Sequence, residues 1–251
     1  MPKFFVTQEQ IKNNKIYIIG QDINHIKNVL RKKIGDELTI CNTTNETDYI
    51  CEIEEFSEKE IKCKIKSIIN NNSESNIKVT IFQGLPKADK MELIIQKAVE
   101  LGVYNITPVQ MKRCVVKLNE KDKIKKIQRW QKISEVASKQ CGRNIIPKIN
   151  SIINNKDICN FVKEYDIVLL AYENEKQNTI KQEIGKIKEK NNNNKDIKIA
   201  VIVGPEGGLA EEEYNMLIRN GAISVTLGKR ILRTETVALN VLSIIMYELE
   251  D

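Results

Sequence analysis

The chain has 251 residues, 41% of them hydrophobic and 29% charged, with a formal net charge of +6 at pH 7. That is enough for a sizeable core in one large domain or two smaller ones. Six cysteines with no C-x-x-C pair and a single histidine speak against a structural zinc site. With no basic-then-apolar leader and no apolar run of about 18 residues, the sequence reads as soluble and intracellular, with reduced thiols.

From Phe4 to Ile69 the apolar pattern is short and alternating: Ile16 to Ile19, Glu37 to Ile40, Asp48 to Ile53 and Ile61 to Ile68. Turn residues at Gly35-Asp36 and from Asn42 to Asn45 separate these runs, which predicts a small β-barrel. Between them, Ile23 to Arg31 has helical spacing, with Ile26, Val29 and Leu30 on one side and a basic end at Arg31-Lys32-Lys33. His25 has no reactive neighbour in sequence and reads as a structural or polyanion-contacting residue rather than a base. Asn70 to Asn76 contains no apolar residue and marks a linker, which puts the domain boundary at 72/73.

The second domain, 73–251, opens with a strand, Ile77 to Phe82, that leads to Gly84-Leu85-Pro86-Lys87. A helix from Lys90 to Leu101 buries Met91, Ile94, Ile95, Ala98 and Leu101, stops at Gly102 and precedes a strand from Tyr104 to Val109. Lys121 to Gln140 reads as a long basic helix whose buried stripe is Ile124, Ile127, Ile133, Val136 and Ala137, with Trp130 as a packing residue. Pro86 to Asn150 holds 15 Lys+Arg against 6 Asp+Glu, a net of +9, so the basic excess is localised and suits a polyanion such as RNA. Lys156 to Lys163 is expected to be helical, Ile167 to Ala171 is a buried strand ending at Tyr172-Glu173, and Thr179 to Lys188 is a helix. Lys190 to Asp196, with four consecutive asparagines, reads as a loop without function. The strand–helix alternation predicts an α/β domain with a mainly parallel sheet.

Ile199 to Val203 is a β-branched run, a strand covered on both faces. Gly204-Pro205-Glu206-Gly207-Gly208 then breaks it before a helix from Leu209 to Asn220, so the loop sits at a strand's carboxyl end, where α/β sheets bind ligands. Glu206, Glu211, Glu212 and Glu213 would repel a pyrophosphate there, which opposes a nucleotide di- or triphosphate. A strand from Ile223 to Leu227 leads to a second, basic loop, Gly228-Lys229-Arg230-Ile231-Leu232-Arg233-Thr234-Glu235-Thr236, expected to leave a neighbouring strand end. The last helix, Val237 to Leu249, is apolar on too many faces to be half-exposed and must be buried or paired.

Gly204-Pro205-Glu206-Gly207-Gly208-Leu209 and Leu227 to Thr236 together closely resemble the signature of the SPOUT-class RsmE methyltransferases, which methylate N3 of a uridine in 16S ribosomal RNA. Further similarity lies in Met1 to Val6, His25 to Arg31, Gln96 to Val103 and Glu135 to Arg143. The resemblance implies a PUA-like β-barrel followed by a SPOUT domain with a deep trefoil knot, a homodimer, S-adenosylmethionine as methyl donor, no metal, and 16S ribosomal RNA or the small subunit as partner. It implies RNA contacts for Lys3, Arg31, Gln140 and Arg143.

The two loops suit that cofactor, whose adenine can lie on apolar and glycine surface and whose sulfonium is positive. Gly204, Glu206, Gly207 and Gly208 are expected to form the first wall, and Leu227, Ile231, Leu232 and Thr236 the second, with Glu173 joining from another strand end. Arg233, then Arg230, would stabilise an anionic uracil ring, with Glu235 as base or arginine orienter. The plain alternative is that both arginines bind phosphate. Cys141 could be a covalent nucleophile, but N3 methylation needs none. Two other activities fit the same features: 2′-O-ribose methylation, and an RNA-binding assembly factor without turnover.

Overall fold

The computed structural model describes residues 3–69, 73–190 and 196–250, and the chain divides into two compact units. Met1-Pro2, the linker reading over Asn70 to Asn72 and most of the asparagine loop lie outside the described residues.

The first unit comprises Met1–Glu74 together with Ser138–Ile146. Its strands are β1 (Lys3–Val6), β2 (Ile11–Lys12), β3 (Lys15–Ile19), β4 (Glu37–Asn42), β5 (Thr47–Phe56) and β6 (Glu60–Ile69), in the order β1-β4-β5-β6-β3-β2. Only β1 with β4 is parallel; every other pairing is antiparallel. Phe4, Ile16, Ile18, Ile40, Ile53 and Ile61 point to one side and are buried together. In β5 the alternation slips between Ile50 and Cys51 and again between Ile53 and Glu55, where register shifts insert bulges that curl the sheet. The short helix is α1 (Gln21–Asn24) followed by a π turn over His25–Val29, closed by the Leu30 N–H on the His25 carbonyl at 2.9 Å. Ile26 is buried there, whereas Val29 is exposed.

The second unit, Ser75–Ala137 with Pro147–Asp251, holds a wholly parallel sheet. Its strands are β7 (Ile77–Gly84), β8 (Asn105–Gln110), β9 (Lys148–Ile149), β10 (Ile153–Asn154), β11 (Ile167–Ala171), β12 (Ile197–Val203) and β13 (Ile223–Val225). The order is β10-β8-β7-β12-β11-β13, with β9 beside β8. The helices are α2 (Lys90–Glu100), α3 (Glu120–Cys141), α4 (Ile180–Lys190), α5 (Glu211–Arg219) and α6 (Thr234–Leu249). β11 and β12 are buried nearly throughout because helices cover both faces of a parallel sheet, which is what their β-branched runs indicate.

Three expectations need correction. The buried stripe of α3 is rotated: Trp130 and Ala137 are buried and Ile127 and Ile133 partly so, while Ile124 and Val136 are exposed. The buried Ser134 and Ser138 occupy the inward face that apolar periodicity alone assigns elsewhere. Lys156 to Lys163 forms two 3-10 turns, Asn155–Asn160 and Val162–Glu164, rather than a helix. Asp157 closes the first by accepting the Asn154 N–H at 2.9 Å. Finally, β12 and β13 are not neighbours, because β11 lies between them.

α6 packs against α2, α4, β7 and β12 and buries Ala238, Val241, Leu242, Ile245 and Met246. Val237, Leu239 and Ile244 are half-buried, and Tyr247 is exposed. Among the described residues, no helix is long and apolar enough to cross a membrane.

Candidate functional site

β7, β11, β12 and β13 end at one level. Val203 is in register with Gln83 and with Ala171, and Ala171 with Val225. The loops leaving these ends therefore emerge together, where ligands bind in open α/β sheets. Between them lies a hollow of about 540 Å³, lined by 203–208, 226–234, 171–173, Lys90 and Val237.

Glycine is required at several points of the first wall. A Cβ at Gly84 would lie 2.7 Å from the Pro205 nitrogen, so only glycine at the end of β7 lets the loop pass this close. Gly208 has φ +67°, and a Cβ there would lie 2.5 Å from Glu173 Oε1. Gly207 lies against Arg113, whose Nη1 donates to the Gly207 carbonyl at 3.1 Å. Thr234 joins the two walls: its hydroxyl donates to the Gly204 carbonyl at 2.7 Å and accepts from Gln83 Nε2 at 2.9 Å. Tyr172 stacks on Tyr214 with ring centroids 4.2 Å apart, and its backbone N–H bonds the Val225 carbonyl at 3.1 Å.

The acidic residues are mostly compensated. Glu206 accepts the Lys87 N–H at 3.1 Å and pairs with Lys90 Nζ at 2.9 Å, and Lys90 Nζ also lies 3.2 Å from Glu235 Oε2. Burial acts to raise the Glu206 pKa, yet the Lys90 ammonium and the backbone donors prevail and hold it below the usual carboxylate value. Lys90 is held above the usual lysine value, chiefly by its bond to Glu206, against some desolvation. Glu213 is buried and accepts the N–H groups of Lys112 at 2.9 Å and Ala210 at 3.0 Å, while Glu212 pairs with Lys112 Nζ at 2.7 Å. The first wall, 204–208, contributes no lysine or arginine, whereas the second supplies Lys229, Arg230 and Arg233.

Of the expected cofactor residues, the hollow brings together Glu173, Gly204, Glu206, Gly207, Gly208, Leu227, Ile231 and Leu232, and with them Arg230 and Arg233. Thr236 and Glu235 are not in the lining; Thr236 is exposed in the first turn of α6, and the Glu235 carboxylate faces Lys90. Lys90, Tyr172, Arg113 and Thr234 are residues of the site that the sequence does not single out. Thr234 is the first residue of α6 and its hydroxyl bonds Gly204 rather than capping the helix, so like Lys90 it carries no local signal.

The expected RNA contacts belong to the first unit. Arg31 and Gln140 are exposed. Lys3 and Arg143 are buried. Lys3 Nζ lies 2.6 Å from Asp48, 2.8 Å from the Gly142 carbonyl and within hydrogen-bonding distance of Asn144, and Arg143 pairs with Glu74 at 2.6 Å. Both cations thus hold the 138–146 segment in place, and their charge is directed inward. Cys141, exposed in that same unit, is absent from the hollow's lining. Burial pushes the thiols of Cys41, Cys51 and Cys63 up to about 12, consistent with small core residues. No cluster of metal-binding side chains exists among the described residues.

Comparison with known proteins agrees with this arrangement. An RNA methyltransferase domain matches residues 73–246 and an RNA methyltransferase PUA domain matches residues 18–66. A ribosomal RNA small subunit methyltransferase E from Bacillus subtilis is 36% identical, with 100% of this chain and 98% of that protein covered. The protein of that name from Mesomycoplasma hyopneumoniae is also 36% identical, over 97% of this chain and 98% of its own length. The crystal structure of a ribosomal RNA small subunit methyltransferase E from Neisseria gonorrhoeae bound to S-adenosyl methionine has a TM-score of 0.83 at 27% identity, covering 98% of this chain and 97% of that one.

Proposed function

The chain belongs to the ribosomal RNA small subunit methyltransferase E family, and from that premise we propose that it transfers a methyl group from S-adenosylmethionine to N3 of a uridine in 16S ribosomal RNA. The observation that carries the reading is the shared hollow, with Gly207 on one wall and Leu232 on the other. Glycine backbone and the Leu227, Ile231 and Leu232 side chains offer an apolar seat for an adenine, and the Glu173 and Glu206 carboxylates in the lining tolerate a positive sulfonium. S-adenosylmethionine would supply an electrophilic methyl carbon bonded to that sulfonium.

The rest of the chemistry falls to the chain's own residues. N3 of uracil loses its proton to solvent as it becomes the nucleophile, negative charge spreads to O2 and O4, and transfer of the methyl would leave a neutral thioether. Arg233 and Arg230 both line the hollow, and we assign them to those oxygens; a preorganised donor of this kind is worth about 10²–10³ in rate. Walls tied to each other hold donor and base in line, which supplies much of the remainder.

The first unit, with its 138–146 segment, takes the RNA-binding role in this reading, with Arg31 and Gln140 the exposed contacts. Lys3 and Arg143 leave the contact set because their cations are buried. The half-buried apolar residues of α6 support a homodimer, and the trefoil knot expected of this class belongs to the same proposal. A cytoplasmic site of action follows from the ribosomal substrate.

Small ribosomal subunits lacking the modification, incubated with the protein and radiolabelled S-adenosylmethionine, test the proposal after digestion to nucleosides. Label in 3-methyluridine supports it. Label on ribose assigns 2′-O-methylation instead, and no label despite RNA binding leaves an assembly factor.

A further inference from the structure

We propose that Lys90 is a positioning residue that fastens the two walls of the hollow to each other, and that Glu235 acts through it rather than as a base. This inference rests on the reading of the hollow as the methyl donor's site.

Three elements distant in sequence meet at one ammonium group. Lys90 is the first residue of α2, Glu206 belongs to the loop after β12, and Glu235 lies in the first turn of α6, directly beyond the basic loop. Nζ lies 2.9 Å from Glu206 Oε1 and 3.2 Å from Glu235 Oε2. The three side chains are only 28%, 24% and 16% exposed, so water screens them less than a surface pair. Glu206 also caps the turn before α2 by accepting the Lys87 N–H, which gives the cluster a rigid anchor.

Without the ammonium, two half-buried carboxylates would face each other beside the hollow with their counter-charge gone. Their repulsion would separate the walls at the point where Thr234 bonds Gly204. Loop 228–233, exposed apart from Leu232, carries Arg230 and Arg233 and depends on that junction for its placement. Glu235, with Oε2 3.2 Å from Lys90 Nζ and outside the hollow's lining, is not placed to accept a proton from a base there.

Backbone hydrogen exchange on the unliganded protein tests this, with Lys90→Met, Lys90→Arg and Glu235→Gln compared against the wild type, and calorimetry gives each variant's Kd for S-adenosylmethionine. We expect Lys90→Met to speed exchange about tenfold in both 204–208 and 228–236 while the central strands are unchanged, and to weaken cofactor binding by a similar factor. Lys90→Arg should restore both readouts, and Glu235→Gln should loosen only the second segment. Unchanged exchange in Lys90→Met would overturn the proposal, as would loosening spread over the whole domain or no rescue by arginine. If the wild type binds no S-adenosylmethionine, the cofactor reading fails while hydrogen exchange still decides whether Lys90 joins the walls.

Discussion

The Thr234 hydroxyl donates a 2.7 Å hydrogen bond to the Gly204 carbonyl, so the first residue of α6 holds the loop that leaves β12. Thr234 is 5% exposed, and water cannot readily replace the bond. Thr234→Val keeps the shape and removes the donor. It should cost about 1–3 kcal/mol in urea unfolding, the range for a buried polar group left without its partner. A loss within experimental error would mean that the junction contributes little.

Two glycines should respond to alanine with opposite signs. A methyl at Gly84 meets the backbone nitrogen of Pro205 at 2.7 Å and its Cδ at 2.8 Å, neither of which can rotate away. Gly84→Ala should therefore destabilise by about 1–3 kcal/mol and weaken cofactor binding. Gly185 lies inside α4 with nothing within 4 Å of a Cβ, so Gly185→Ala should stabilise by about 1 kcal/mol. Denaturant midpoints for both variants check the pair.

The Lys90–Glu206 pair sets a pH window. Glu206 titrates below its usual value when folded, so its contribution is full above the ordinary carboxyl pKa of about 4.3 and is lost as pH falls through the folded value. Lys90 titrates above its usual value, so its contribution is full below about 10.4 and is lost as pH rises through the folded value. The difference in melting temperature between wild type and Glu206→Gln should stay constant from about pH 5 to 9 and close below about pH 4. A difference that widens on acidification would contradict the pairing.

Much of this architecture was readable in advance, for identifiable reasons. β11 and β12 announce themselves as β-branched runs, and Gly204 to Gly208 as backbone that no ladder can continue. Most of the site was legible because these loops carry a recognisable signature. What could not be read depends on contacts between distant residues. The place of β11 between β12 and β13, the Lys90 bridge to Glu206 and Glu235, and the burial of Lys3 by Asp48 are all tertiary facts without local periodicity. The error at α3 has a different origin: Ser134 and Ser138 face inward, so a count of apolar residues finds the wrong phase.

Lys3 and Arg31 should separate stability from RNA binding. The Lys3–Asp48 pair has side chains 5% and 2% exposed, and Lys3→Met removes the ammonium from a buried carboxylate, at a cost of about 3–5 kcal/mol. Arg31 is exposed, so Arg31→Met should change stability by less than about 0.5 kcal/mol. It should reduce the slope of log affinity against log salt for ribosomal RNA by about 1. Unfolding curves and filter binding at several salt concentrations give both numbers.

The central claim is that the hollow between 203–208 and 226–234 receives a methyl donor seated on glycine backbone and apolar side chains. Calorimetric titration of the protein with S-adenosylmethionine, and separately with ATP, tests it most directly. The expected result is saturable one-site binding of S-adenosylmethionine, strongly weakened in Gly84→Ala, and weaker binding of ATP. ATP binding as tightly, or S-adenosylmethionine binding untouched by Gly84→Ala, would contradict it.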